Sequence, residues 1–446
     1  MKIQLTYLIV LLVLFISCSE SKTTIYNVDV IIKGGSILDL SNNGLSTNDL
    51  QNKTILIKAD TIFDIVDVST ISKEQKNVID ATGKFIIPGL TDGFTVINNQ
   101  NYANAFLYMG ITDVVGVESS RRGVFYHDAN PSPNIHMLRE VGEVPISDKE
   151  VVETIEKHAK NGAEILLIMY GLNPSQVELA QLEAKKYGMG TIGELGFTSY
   201  KKGMELGIDA FVHTTRYSLD IAPETLAKKV AAEPFSNDLG SPKWRYYKLL
   251  TGLDSTNTAL LNHAKNLGNS NSYIQPTFAL LYLDMPYSKN PWKEKIAQII
   301  DIKDINRPAD TLTGKHNYPP EELAAYQKLG KQELMIEKIY YTNGAKYLSG
   351  SATDVWGSMP GISLHQELEV LHRIGLSNRE VIATSTSNFN DAYGFKFGKI
   401  KKGFKANILL LDKNPIEDIV NLKGSKRLIL NGKEIDLEKL FEKSLK

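Results

Sequence analysis

Val78-Ile79-Asp80-Ala81-Thr82-Gly83-Lys84-Phe85-Ile86-Ile87-Pro88-Gly89-Leu90-Thr91-Asp92 is the stretch at which the character of the chain changes. Before it lie short β-branched, partly alternating runs, Asp29–Lys33, Thr54–Lys58, Thr61–Val66 and Asn77–Asp80, divided by turn clusters such as Asp39–Gly44. Runs of that kind predict a small antiparallel sheet or sandwich. After it, strand-like and amphipathic helical runs alternate. Ile111–Val117 reads as a strand, Lys149–Lys160 as a helix, Glu164–Tyr170 as a strand and Pro174–Tyr187 as a helix. Gly190–Leu195 then reads as a strand, Tyr200–Leu206 as a helix and Ala210–Thr214 as a strand. Alternation calls for parallel strands joined by crossover helices, and over roughly 300 residues it predicts a (β/α)8 barrel.

The rest of the chain fits that frame. Phe278–Tyr341, rich in proline and charge, reads as a long loop insertion with helical pieces near the barrel mouth. Gly361–Ile374 and Asn378–Ala392 read as helices, and strands return at Ala406–Leu411 and Arg427–Leu430, followed by the hairpin signal Asn431-Gly432. The expected fold is α/β: a TIM-like (β/α)8 barrel over 93–395 and a small discontinuous β-sandwich from segments 24–92 and 396–440.

The chain has 446 residues, 42% hydrophobic and 23% charged, which is a globular composition. Fifty Lys and Arg against 51 Asp and Glu leave a formal charge of −1, which argues against a nucleic-acid partner. One cysteine excludes intramolecular disulfides and multi-cysteine metal sites, whereas eight histidines leave a histidine metal site open. Within 1–17, Lys2 precedes an apolar run, Leu8–Ile16, too short to span a bilayer but suited to a secretory signal. Phe15-Ile16-Ser17-Cys18 resembles a bacterial lipobox. That resemblance implies lipidation of Cys18 and a lipid anchor in the bacterial cell envelope, on the periplasmic or surface face of a membrane. An ordinary signal peptide with an incidental cysteine is the alternative.

Strands on both sides of a βα barrel, with the motifs that join them, resemble the amidohydrolase superfamily, and most closely its imidazolonepropionase-like and prolidase-like branch. The opening stretch, 78–92, looks like the family's entry into the first barrel strand. Leu364-His365-Gln366-Glu367-Leu368 through Ala383-Thr384-Ser385-Thr386-Ser387-Asn388 looks like its last barrel helices. Gly398-Lys399-Ile400-Lys401-Lys402-Gly403-Phe404-Lys405-Ala406-Asn407-Ile408 looks like its return to the sandwich.

The resemblance implies hydrolysis of C–N or related bonds by one or two divalent metals at the mouth. The family's ligands are a His-x-His pair on strand 1, a carboxylated Lys or Glu on strand 4, His on strands 5 and 6, and Asp on strand 8. Here Asp92-Gly93-Phe94-Thr95-Val96 puts Phe94 and Val96 at the two histidine positions. Leu167 stands where the bridging lysine belongs, Glu194 at the strand 5 histidine, and Ala352 at the strand 8 aspartate. Only His213 keeps its ligand type, and Asp354 follows Ala352 by two residues. Two protein donors fall short of the usual three, and an apolar mouth raises the cost of desolvating an ion.

The expectation is therefore a catalytically silent amidohydrolase-like protein with no cofactor. Glu194, His213 and Asp354 are the candidate catalytic residues, and a single zinc ion held by those three is the alternative. Phe94, Val96, Leu167, Tyr170 and Ala352 are the expected pocket walls, for a small-molecule or peptide-like ligand. An active homologue or a homo-oligomer is the expected protein partner. The other functional readings are a hydrolase of non-peptide C–N or dipeptide bonds using Glu194 and His213 as acid and base, and a structural surface scaffold. Asp92 and His365 read as packing residues. His127, His136, His158, His263, His316 and His372 form no constellation. Gly188-Met189-Gly190-Thr191-Ile192-Gly193 spells a dinucleotide fingerprint, but a helix precedes it and a strand follows, the reverse of what that site needs.

Overall fold

The computed structural model describes residues 23–118, 125–236, 238–424 and 426–445; the expected signal segment, 1–17, and Cys18 fall outside them. Alternation explains the first sheet. In Lys53–Lys58, Ile55 and Ile57 enter one apolar layer while Leu56 points the other way, toward Ile31 and Ile71. The strands Thr61–Asp67, Lys53–Lys58, Val30–Lys33 and Val78–Asp80 make one four-stranded sheet in that order. The second sheet has six strands and runs Lys433–Ile435, Lys426–Leu430, Ile408–Leu411, Phe85–Pro88, Ser36–Ile37, Leu50–Gln51. Ile32, Ile55 and Ile57 of the first sheet pack with Ile37, Ile86, Ile408 and Leu410 of the second. The two halves of the sandwich join where Phe85–Pro88 pairs antiparallel with Ile408–Leu411, Ile86 opposite Leu410.

The barrel sheet has eight parallel strands in chain order: Leu90–Thr95, Ile111–Val117, Asn134–Val141, Ile165–Met169, Gly190–Glu194, Ala210–Val212, Tyr273–Gln275 and Lys346–Tyr347. Its edges meet where Gly93 N–H donates to Ser349 O at 3.1 Å. A Cβ at residue 93 would stand 2.6 Å from that oxygen, so this close approach requires glycine. The sheet changes at Gly89, so the division expected between 92 and 93 falls inside the first barrel strand. Capping boxes start two crossover helices, Ser147 with Glu150 before Asp148–Lys160 and Asn173 with Gln176 before Pro174–Lys186.

Two expectations need correction. Phe278–Tyr341 is not mainly loop: it ends in the 23-residue helix Pro320–Thr342. Pro320 and the acidic pair Glu321 and Glu322 suit a helix start. The apolar stripe is blurred because Gly330, Glu333 and Glu337 are buried among its apolar positions. Asn378–Ala392 is two helices, Asn378–Thr384 and Ser387–Tyr393. The break frees the Ser385 carbonyl to accept from Thr91 N–H of the first barrel strand at 2.7 Å.

Candidate functional site at the barrel mouth

A cavity of about 500 Å³ opens where the barrel strands end, within the size range of small-molecule sites. Its inner wall is Phe94, Val117, Glu140, Leu167, Glu194 and His213, each from a barrel strand or the residue after it. Its outer wall comes from the long connections: Lys243 and Tyr247 from the helix Pro242–Leu250, Tyr326 and Leu329 from Pro320–Thr342, then Asn306 and Trp356.

Glu194, His213 and Asp354, the three candidates named from sequence, all line this cavity. Of the expected pocket walls Phe94 and Leu167 line it, whereas Val96, Tyr170 and Ala352 are buried outside the residues that line it. Tyr170 instead packs edge-on against Phe235, which does line it, with ring centroids 5.3 Å apart.

The buried Glu194 carboxylate meets Arg216, whose Nε lies 3.2 Å from Oε1. The same guanidinium donates through Nη2 to Pro234 O at 2.9 Å and sits 5.6 Å from the Phe235 ring centroid. The His213 ring stands edge-on to Phe94 with centroids 5.1 Å apart. Its Nδ1 is 2.7 Å from Thr277 Oγ1, and that hydroxyl donates to Pro276 O. Thr277 therefore accepts from Nδ1–H, which makes Nε2 the basic nitrogen of the neutral ring. Asp354 accepts from the Asn98 amide.

Backbone strain gathers here. His213, Thr277, Arg307, Ala352 and Trp356 have φ of 67°, 55°, 50°, 52° and 49°, in the left-handed region that side chains other than Asn and Gly avoid. Among the described residues, the only other residue that is neither Asn nor Gly with such a φ is Ala59, in the hairpin turn between Lys53–Lys58 and Thr61–Asp67.

Behind His213, Thr214 Oγ1 lies 2.9 Å from Glu333 and 2.5 Å from Glu337, both fully buried. Tyr217 and Tyr347 also donate to Glu337. Burial and the neighbouring Glu337 push Glu333 up to about 8, and burial pushes Glu337 up to about 7. Asp92, also buried, accepts from Ser351 N–H at 2.8 Å and is pushed up to about 6. His365 is not among the residues lining this cavity; its Nε2 is 2.9 Å from Met109 O.

A divalent metal of the family's kind does not fit these residues. Phe94, Val96 and Leu167 offer no donor atom, Arg216 engages Glu194, and Thr277 holds Nδ1 of His213. Among the described residues, no group of three or more His, Cys, Asp or Glu is placed to hold a metal ion. Sequence reasoning missed Arg216, Lys243 and Tyr326. Arg216 lies three residues after His213 and carried a readable signal, a cation just past a strand end; the other two arrive from distant helices.

The amidohydrolase family model matches residues 296–435. No curated protein matches the chain. Among solved structures, a Xaa-Pro dipeptidase with bound methionine in its active site aligns at TM-score 0.62 and 17% identity, over 91% of this chain and 99% of that one. A bottromycin amidohydrolase aligns at TM-score 0.68 and 14% identity, over 93% of this chain and 89% of its own. Molinate hydrolase aligns at 0.59 and 14%, over 94% and 96%.

Proposed function

We propose that this protein, which has the amidohydrolase fold, uses its barrel mouth as a metal-free binding chamber for a small molecule or peptide-like ligand. The Glu194–Arg216 pair carries the reading. A buried carboxylate needs a countercharge. In the family's sites a metal meets that need, and here a guanidinium from the chain itself does. The cavity and its strained rim support retention of a recognition site, because strain of this kind persists where function selects it. We further propose that Cys18 anchors the protein by lipid in the bacterial cell envelope, where it pairs with a second copy or with an active homologue.

Metal analysis of the full-length protein, combined with thermal shift across a metabolite panel, tests the chamber. Substoichiometric metal and a ligand-dependent rise in Tm are expected. Stoichiometric zinc, with an amidase or dipeptidase activity lost on chelation, overturns the reading. For the anchor, Cys18→Ser is expected to move the protein from the membrane fraction to the soluble one; a wild-type protein already soluble overturns it.

A second reading, hydrolysis of C–N bonds without metal, is favoured by one observation. His213 lines the cavity beside Glu194, with Nε2 as its basic nitrogen, an arrangement that suits proton transfer. Turnover of dipeptides or N-acyl compounds that falls in both Glu194→Ala and His213→Ala supports it, and unchanged turnover in both sinks it.

A further inference from the structure

We infer that a second cavity, walled by the helix Ile362–Arg373, binds an uncharged ligand through a carboxamide group, whose N–H donates to Nδ1 of His365 and whose carbonyl accepts from Nε2 of Gln366. This cavity shares no lining residue with the mouth, and the inference stands whether or not the mouth is a binding chamber.

The cavity measures about 310 Å³ and lies between that helix, the segment 289–294 and the turn Ile419–Lys423. That is room for a small organic molecule. His365 and Gln366 stand side by side in its wall, each more than nine-tenths buried. One nitrogen of His365 serves packing: Nε2 is 2.9 Å from Met109 O. A carbonyl only accepts, so Nε2 carries the proton. Burial, helped by the nearby cations Lys423 and Lys426, draws the ring down to about 3 and keeps it neutral. Nδ1 is therefore a lone-pair acceptor, and among the described residues no donor meets it.

Gln366 supplies the complementary group. Ser363 Oγ accepts from Met359 N–H at 2.9 Å and gives its single proton to Oε1 of Gln366 at 3.0 Å. That bond orients the amide and leaves Nε2, a donor with no acceptor among the described residues. Polar groups of buried residues cost stability until something pairs with them. The ionic groups around the cavity, by contrast, are already matched. Glu294 holds Lys423, and Glu369 takes Lys289 at 3.5 Å, Arg373 at 2.8 Å and the Tyr282 hydroxyl at 3.2 Å. Glu417 and Asp418 are exposed at the outer edge, where they accept from the Asn414 amide and from Val420 N–H. The inner wall thus sets one neutral acceptor beside one neutral donor, the complement of a carboxamide edge. A carboxylate there would turn a lone pair toward that of Nδ1, and an ammonium would turn a proton toward the Gln366 donor. Pro291, Leu368 and Ile419 give the ligand's body an apolar surface.

The probes are benzamide, N,N-dimethylbenzamide and benzoate, which share a body and differ at the edge that meets the two side chains. Calorimetry on the full-length protein measures the affinity of each. Nitrogen NMR of histidine-labelled protein reads Nδ1 of His365 directly, its resonance assigned by its loss in His365→Phe. Benzamide is expected to bind at least about tenfold more tightly than either analogue and to shift the Nδ1 resonance as the lone pair accepts a hydrogen bond. Gln366→Met keeps the length of the side chain and removes the donor; it is expected to weaken benzamide at least about tenfold, with its Tm confirming folding. Equal binding of benzamide and N,N-dimethylbenzamide, tighter binding of benzoate, or benzamide affinity that survives Gln366→Met overturns the site. So does an Nδ1 resonance that benzamide leaves in place, or the absence of benzamide binding at millimolar concentration. The comparison of the three probes uses the wild type alone, so the site remains open to refutation even if a variant fails to fold.

Discussion

At the lower end of the barrel His136 lies between Asp113 and Glu164, at 3.3 and 3.1 Å, whereas at the mouth Glu194 faces Arg216. Both ends bury charge, but they hold it differently. The lower network is dense: Asp113 also accepts from Thr112, Asn134 and Asn407, and Asn431 of the sandwich donates to Asn134 at 2.8 Å. Phe397 stacks on the His136 ring at 4.5 Å. Positive φ nearby falls on residues that tolerate it, among them Gly110, Gly162, Gly398, Asn431 and Gly432. The mouth instead encloses open volume and forces His213, Thr277, Ala352 and Trp356 into left-handed backbone. One end is built to hold two domains together. The other keeps strain and space that folding alone does not require.

The largest expected effect breaks that comparison at the mouth. Arg216→Met should leave Glu194 buried without its cation and lower unfolding free energy by about 3–5 kcal/mol in a urea titration. Adding Glu194→Met should restore most of the loss, because a packed apolar pair often replaces a buried ion pair at little cost. A loss below about 1 kcal/mol would mean the pair holds nothing in place. At the lower end the next effect depends on pH. Burial works against the His136 cation, but the hydrogen bonds it donates to Asp113 and Glu164 prevail and raise its pKa from 6.5 to about 9. A folded pKa above the unfolded one gives stability that is complete below pH 6.5 and is lost as pH rises through 9. The wild type should lose about 3 kcal/mol across that window, and His136→Gln should flatten the profile there.

Two smaller effects sharpen the contrast. Ala352→Gly removes a Cβ from a residue at φ 52° and should raise stability by about 1 kcal/mol, measured as a higher urea midpoint; a loss would show that the strain at the mouth is relieved by other contacts. Arg427→Ala breaks an exposed pair with Glu434 in the sandwich, where both side chains are more than a third solvent-accessible. It should change stability by less than about 1 kcal/mol, and a larger loss would mean the hairpin there governs docking to the barrel.

The frame of the fold was legible because its signals are local. Ile111–Val117 matches the expected strand at both ends, Asp148–Lys160 and Pro174–Lys186 come within a residue of expectation, and the hairpin at Asn431-Gly432 forms. Asn134–Val141 escaped notice because His136, Arg139 and Glu140 break its apolar run, and the partners of His136 and Arg139, Glu164 and Glu118, lie beside the two neighbouring strands. Phe94, Leu167, Glu194 and His213 were legible one at a time, since each is a residue type on or just after a barrel strand. The rest of the cavity wall was not. Arg216, Lys243 and Tyr326 reach one cavity from three elements, and no spacing along the chain encodes that convergence. The pairing of His136 with two carboxylates, and of His316 with Asp284 at 3.0 Å, escaped for the same reason.

The sandwich stitched from both halves of the chain also sets an order of events during synthesis. Lys84, beside the strand Phe85–Pro88, pairs with Asp412, 328 residues later. At about 5–20 residues per second, a ribosome needs roughly 16 to 66 seconds to deliver that partner. Throughout that wait the isoleucine-rich inner face of the first sheet has only Ile37 and Ile86 to cover it, and lacks Ile408 and Leu410. The polypeptide thus passes a long interval with a half-built module, completed only when the strands Ile408–Leu411 and Lys426–Leu430 emerge.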